Sequence, residues 1–115
     1  MGCLTEAMMA LVEVFAEVGD TPISRVMPVS VQSSPDRDLL ISLLEEEIYT
    51  VEVFGVVPAR FHLHETDDGA VAGDMEVVDA SEVELVGPVP KAVAYHGLEF
   101  AQEGGTWRCR AVVDV

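Results

Sequence analysis

The chain has 115 residues with 21 acids against 6 bases, a formal net charge of −15 at neutral pH. That length fits a single domain, 1–115, with a core of its own. The charge repels phosphate backbones and anionic head groups, which argues against direct sequence-specific nucleic-acid binding and against a membrane surface. No basic leader with an apolar stretch opens the sequence, and no run approaches the roughly 20 apolar residues that cross a bilayer. The expectation is a globular, soluble protein, neither secreted through a signal peptide nor inserted in a membrane.

From Thr5 to Val18 apolar residues recur at Leu4, Met8, Leu11, Phe15 and Val18, with Glu6, Glu13 and Glu17 on the other side, which predicts an amphipathic helix. Thr5 suits its start and Gly19 its end. Ile23 to Val31 alternates as a strand, and Pro28 within it removes a ladder donor, placing that strand at an edge. Ser34 as cap and Pro35 at the first helical position start a second helix, with Leu39, Leu40, Leu43, Leu44 and Ile48 on its apolar side. Glu45, Glu46 and Glu47 read as its solvated end.

Beyond Ile48 the pattern turns to strands: Tyr49 to Val57, Arg60 to His64, Val71 to Val78 and Val83 to Val86. Turns are expected at Pro58, Asp67-Asp68-Gly69, Asp79-Ala80-Ser81 and Gly87-Pro88. A final hairpin joins Val93–Phe100 to Trp107–Val113 through Glu103-Gly104-Gly105, with Gly97 placed for a bulge. Trp107, Cys109, Ala111 and Val113 share one face of the last strand, so the indole is expected in the core, and Arg108 and Arg110 share the other. The two cysteines, Cys3 and Cys109, are too few and too far apart in sequence for a disulfide framework, and reduced thiols are expected. The fold class is therefore α+β. A helix-strand-helix region, 1–48, precedes a β-rich region, 49–115, forming a small antiparallel β-barrel or sandwich of five to seven strands with two helices in the N-terminal half.

Chemistry concentrates in two places. His62 and His64, two apart on a strand, face the same way, as barrel proteins arrange imidazoles around a metal, with Asp68 just beyond and His96 further along the chain. The stretch from Glu65 to Glu84 holds eight acids and no lysine or arginine. Its residues Glu65, Asp67, Asp68, Asp74 and Glu76 are candidate interaction residues, either for a basic partner or for Arg108 and Arg110 of another copy. Acids on an exposed strand also discourage uncontrolled edge pairing. No nucleophile elbow or phosphate loop is present, so the reading leans away from an enzyme and assigns no catalytic residue.

Two family resemblances follow from these residues. Ala94-Tyr95-His96-Gly97-Leu98-Glu99-Phe100 with Gly104-Gly105-Thr106-Trp107-Arg108-Cys109-Arg110, after a short N-terminal helix, resembles the small head-completion or head-tail connector proteins of tailed bacteriophages. That resemblance implies a non-catalytic, ring-forming virion component with protein partners and no cofactor. Pro58-Ala59-Arg60-Phe61-His62-Leu63-His64, then Gly73 to Val78, Gly87-Pro88 and His96 resemble a degenerate cupin. The cupin pattern implies a divalent metal held by His62, His64, Asp68 and His96 in a metal-binding small-molecule protein or enzyme. A third reading, carried by the charge alone, is an acidic inhibitor, immunity protein or nucleic-acid mimic that binds a basic partner. The connector, a homo-oligomer in the virion or the cytoplasm, is the leading expectation.

Overall fold

The apolar spacing at the N-terminus produces helix α1, Gly2–Glu13, which buries Leu4, Met8, Leu11 and Val12. The computed structural model describes residues 2–32 and 39–114, with side chains for 2–32, 39–93, 104–106 and 113. α1 starts and stops earlier than the pattern predicts, and Thr5 lies inside it rather than capping it. Phe15 continues the buried stripe although the helix has ended. The cause is tertiary: Ala16–Glu17 (β1) pairs antiparallel with Glu84–Leu85 (β5), and Val86 donates to the Phe15 carbonyl at 2.8 Å. Gly87 makes that approach possible, since a Cβ there would lie 2.6 Å from the Val14 carbonyl oxygen. The expected strand Val83–Val86 shrinks to these two residues of β5.

The second helix, α2, spans Leu39–Phe54. Ser34 and Pro35, its expected start, lie outside the described residues. Its end departs furthest from expectation, because the first six residues of the expected strand Tyr49 to Val57 are helical. Leu40, Ile41, Leu43, Leu44 and Ile48 anchor one face in the core, and the helix extends past the β-favouring residues until Gly55. There Gly55, at φ 64°, donates to the Val51 carbonyl at 3.2 Å, a left-handed glycine cap. Tyr49, Val53 and Phe54 stay exposed. Phe54 is met edge-on by Tyr49 at 6.3 Å between centroids, and the Arg25 guanidinium stands 5.6 Å from its ring.

Strands Arg25–Val31 (β2), Val56–Glu65 (β3) and Val71–Asp79 (β4) form an antiparallel sheet in the order β2-β4-β3. Pro28 sits on β2, an edge strand as expected. The turn expected at Pro58 is instead a register shift between Pro58 and Arg60, so β3 bends there and continues. The turn at Asp79-Ala80-Ser81 is borne out as a short 3₁₀ helix, Ala80–Glu82, with Asp79 accepting from Ser81 N at 2.9 Å. β6, Ala92–Glu103, and β7, Thr106–Asp114, form the terminal hairpin. Gly104 and Gly105, both at positive φ, make its two-residue turn. The register of β6 shifts between Ala94 and Glu99, around the predicted bulge at Gly97.

Seven strands in three antiparallel sheets and two helices make the chain α+β, with no closed barrel among the described residues. The helices touch each other and β3, α1 also contacts β7, and α2 contacts β6. One apolar cluster joins these elements, with Met8, Leu40, Leu43, Val57, Val71, Met75, Val77 and Val78 essentially inaccessible. Cys3 of α1 is disulfide-bonded, against the expectation of reduced thiols, and the sequence's one other cysteine lies on β7, which packs against α1. The side chains of Trp107, Arg108 and Arg110 lie outside the described residues. No described helix is long and apolar enough to cross a membrane.

Candidate functional site

The strand period sends Phe61 into the core and leaves Arg60, His62 and His64 exposed on the outer face of the sheet. Opposite them on β4 stand Glu76, Asp74 and Ala72. His62 Nε2 lies 2.7 Å from Oε2 of Glu76, its diagonal neighbour, rather than bonding Asp74 directly across. The His62 side chain is 63% exposed and that of Glu76 23%, so this contact is worth at most about 1 kcal/mol. The sheet therefore brings His62, Asp74 and Glu76 together and keeps His64 on the same face beside Ala72.

Asp68 has a different task. In the turn between β3 and β4 its carboxylate accepts from the Thr66 hydroxyl and from Ala70 N at 3.4 Å. The Thr66 hydrogen bond, with backbone donors after it, holds Asp68 below the usual carboxylate range. Glu65 and Asp67 are exposed beside it. His96 lies on β6 in the segment where the register shifts, and its side chain is outside the described residues. Among the described residues no group of three His, Cys, Asp or Glu side chains is placed to hold a metal ion. Arg108 and Arg110 lie on β7, in a different sheet from the acids suggested as their partners in a second copy.

Two features escape the sequence reading. One is Glu47, 1% exposed on the core side of α2, with both carboxylate oxygens lacking a hydrogen-bond partner among the described residues. Burial pushes its carboxyl well above the usual range. It stands four residues after Leu43 and three after Leu44, so the apolar stripe itself, extended one turn, points to it.

The other is an open cleft of about 520 Å³ between the end of α1, the segment around Gly19 and the start of β3. Val12, Pro58 and Phe61 supply buried apolar walls, and Glu13, Glu17, Asp20 and Arg60 bring charge to the lining. Beside it the β1–β5 pairing sets Glu17 directly opposite Glu84, a like-charge juxtaposition that costs stability. Glu84→Lys is expected to stabilise the protein by on the order of a few tenths of a kcal/mol, seen in equilibrium denaturation as a higher urea midpoint with an unchanged slope.

The family described as Archease protein family (MTH1598/TM1083) matches the chain over residues 1–115. The chain belongs to the archease family. Two proteins called "Probable protein archease", from two strains of Mycobacterium tuberculosis, are each 34% identical to it over 114 residues. Those alignments cover 99% of this chain and 63% of each relative, so the chain spans under two thirds of the length of the curated relatives it matches.

Archease membership overturns the phage connector reading and its virion placement. The connector resemblance rested on aromatic and glycine residues of one hairpin, and glycines at positive φ are what any two-residue hairpin turn requires. The cupin resemblance falls to the same match, and the structure explains the coincidence: Pro58 marks a bulge inside β3, and Asp68 serves its own turn. The inhibitor, immunity-protein and mimic readings, which explained charge alone, have no support beside a family match across the whole chain.

Proposed function

We propose that this chain is a protein cofactor of RNA ligation, acting on a tRNA-ligase-type enzyme through protein contact. The observation that carries this reading is the archease family match over residues 1–115. The net charge of −15 gives it a physical form, since a surface that repels RNA phosphates is suited to engage the enzyme rather than its substrate. The sheet face bearing His62, Asp74 and Glu76, the hairpin tip bearing Glu65, Asp67 and Asp68, and the acidic cleft are the surfaces available for that contact. In this reading the acids serve as interaction residues, and the chain supplies no catalytic side chain of its own.

Analytical ultracentrifugation of the chain mixed with an RNA ligase from the same source tests the contact. A complex that forms without RNA and weakens with added salt is expected. Tight binding of the chain to RNA alone, with no sedimenting complex with the ligase, would refute the reading.

A further inference from the structure

The edge of β3 away from β4, unpaired among the described residues, meets the acidic cleft at Phe61, and its backbone geometry defines what can bind there. A Cβ at Gly73 would lie 1.9 Å from the His62 carbonyl oxygen, so that oxygen is turned toward β4. Successive residues of an antiparallel strand direct their N–H and C=O groups to alternate sides. Phe61 and Leu63 therefore present theirs to the opposite edge, where no strand pairs with β3 among the described residues. The other edge of this sheet, β2, carries Pro28, a residue that discourages strand addition. On β3 the bulge between Pro58 and Arg60 lies within the cleft, and the regular edge begins just beyond it at Phe61.

The charge around this edge selects the occupant. Glu13, Glu17 and Asp20 face the cleft against the single cation Arg60, and Glu17 also lies opposite Glu84 with no compensating cation between them in the pairing. A second copy carries the same −15 and is repelled. A segment with lysine or arginine alternating with apolar residues answers both requirements. Its backbone pairs with Phe61 and Leu63, its apolar side meets Val12 and Phe61, and its cations meet the acids.

We propose that the edge of β3 beside this cleft binds an extended basic segment of a protein partner by strand addition. The proposal rests on the cofactor reading for the identity of that partner, the ligase, and only on the cleft for the chemistry of the segment.

NMR titration of the isotope-labelled chain with a short peptide of alternating lysine and valine tests it, with a glutamate–valine peptide as control. The lysine peptide is expected to shift amides at Glu13, Glu17 and Arg60 to Leu63, and to bind about tenfold more weakly at high salt than at low. Glu13→Lys combined with Glu17→Lys, both at exposed positions, is expected to reverse the preference between the peptides. Leu63→Pro removes an N–H directed away from β4, so it should spare the β3–β4 ladder, as the retained β4 amide pattern would show, while abolishing binding. Equal response to both peptides, shifts confined to another surface, or self-association of the chain without peptide binding would overturn the proposal. Ligase binding that persists in both variants would overturn the site while leaving the cofactor reading intact. Loss of the ligase complex for the unaltered chain would instead remove that reading.

Discussion

Glu47→Leu is expected to stabilise the protein by about 1–3 kcal/mol in urea denaturation, an unusual direction for a core substitution. Most core changes destabilise because they open cavities or strand a polar atom. Here the native residue already strands one, since Glu47 is buried in α2 with both carboxylate oxygens unpartnered among the described residues. Leucine has a similar volume and high helix propensity, and it extends the stripe of Leu40, Leu43 and Leu44.

The pH dependence has a definite sign. Burial raises the folded-state carboxyl of Glu47 above its ordinary value of 4.5, so the native state holds this proton where the unfolded chain has released it. Its contribution is fully present below 4.5 and is lost as pH rises toward the folded value. Glu47→Gln removes that slope, so the difference in unfolding free energy between the two proteins should change with pH above 4.5 and flatten below. Asp68 and Asp79 act oppositely: the Thr66 hydroxyl lowers the first and the Ser81 hydroxyl the second. Their contribution is present above their ordinary 3.8 and lost as pH falls through the lowered values, below the Glu47 window.

Gly73→Ala is expected to cost about 2–4 kcal/mol or to prevent folding, because the new methyl would sit 1.9 Å from the backbone oxygen of His62. A flexible side chain could swing aside, but this neighbour is part of the central β3–β4 ladder and moves only with the strand. Gly69→Ala provides the comparison. Gly69 has open space around it, so its cost reflects backbone conformation alone, at φ +82°, and should be about 1 kcal/mol. Equal losses for the two substitutions would mean that the close approach at Gly73 relaxes freely.

Much of the fold was legible in short-range pattern. The Leu4, Met8, Leu11, Phe15 stripe identifies α1, Pro28 marks an edge, Gly104-Gly105 marks the last turn, and Gly97 falls where β6 changes register. The end of α2 was not. Tyr49-Thr50-Val51-Glu52-Val53-Phe54 favours a strand by composition, yet packing of the preceding turns and the cap at Gly55 carry the helix through it. With α2 expected to end near Ile48, the triple glutamate falls at a frayed terminus, which conceals the burial of Glu47.

The site was legible only as a face. Period two places His62 and His64 together, but the bulge after Pro58 and the diagonal reach decide that Glu76 meets His62. The cleft joins the end of α1 to the start of β3, segments that only the tertiary fold brings together. Family membership was illegible for another reason. Its signal is spread along the chain at 34% identity, whereas the two resemblances rested on short segments.

Under the proposed function, this archease-family chain would assist an RNA ligase without contributing catalytic groups. Multiple-turnover RNA ligation by a ligase from the same source, measured with and without the purified chain, tests it most directly. A higher turnover rate that saturates with chain concentration is expected, with no ligation by the chain alone. Turnover unchanged at saturating chain, or ligation by the chain in the absence of the enzyme, would contradict it.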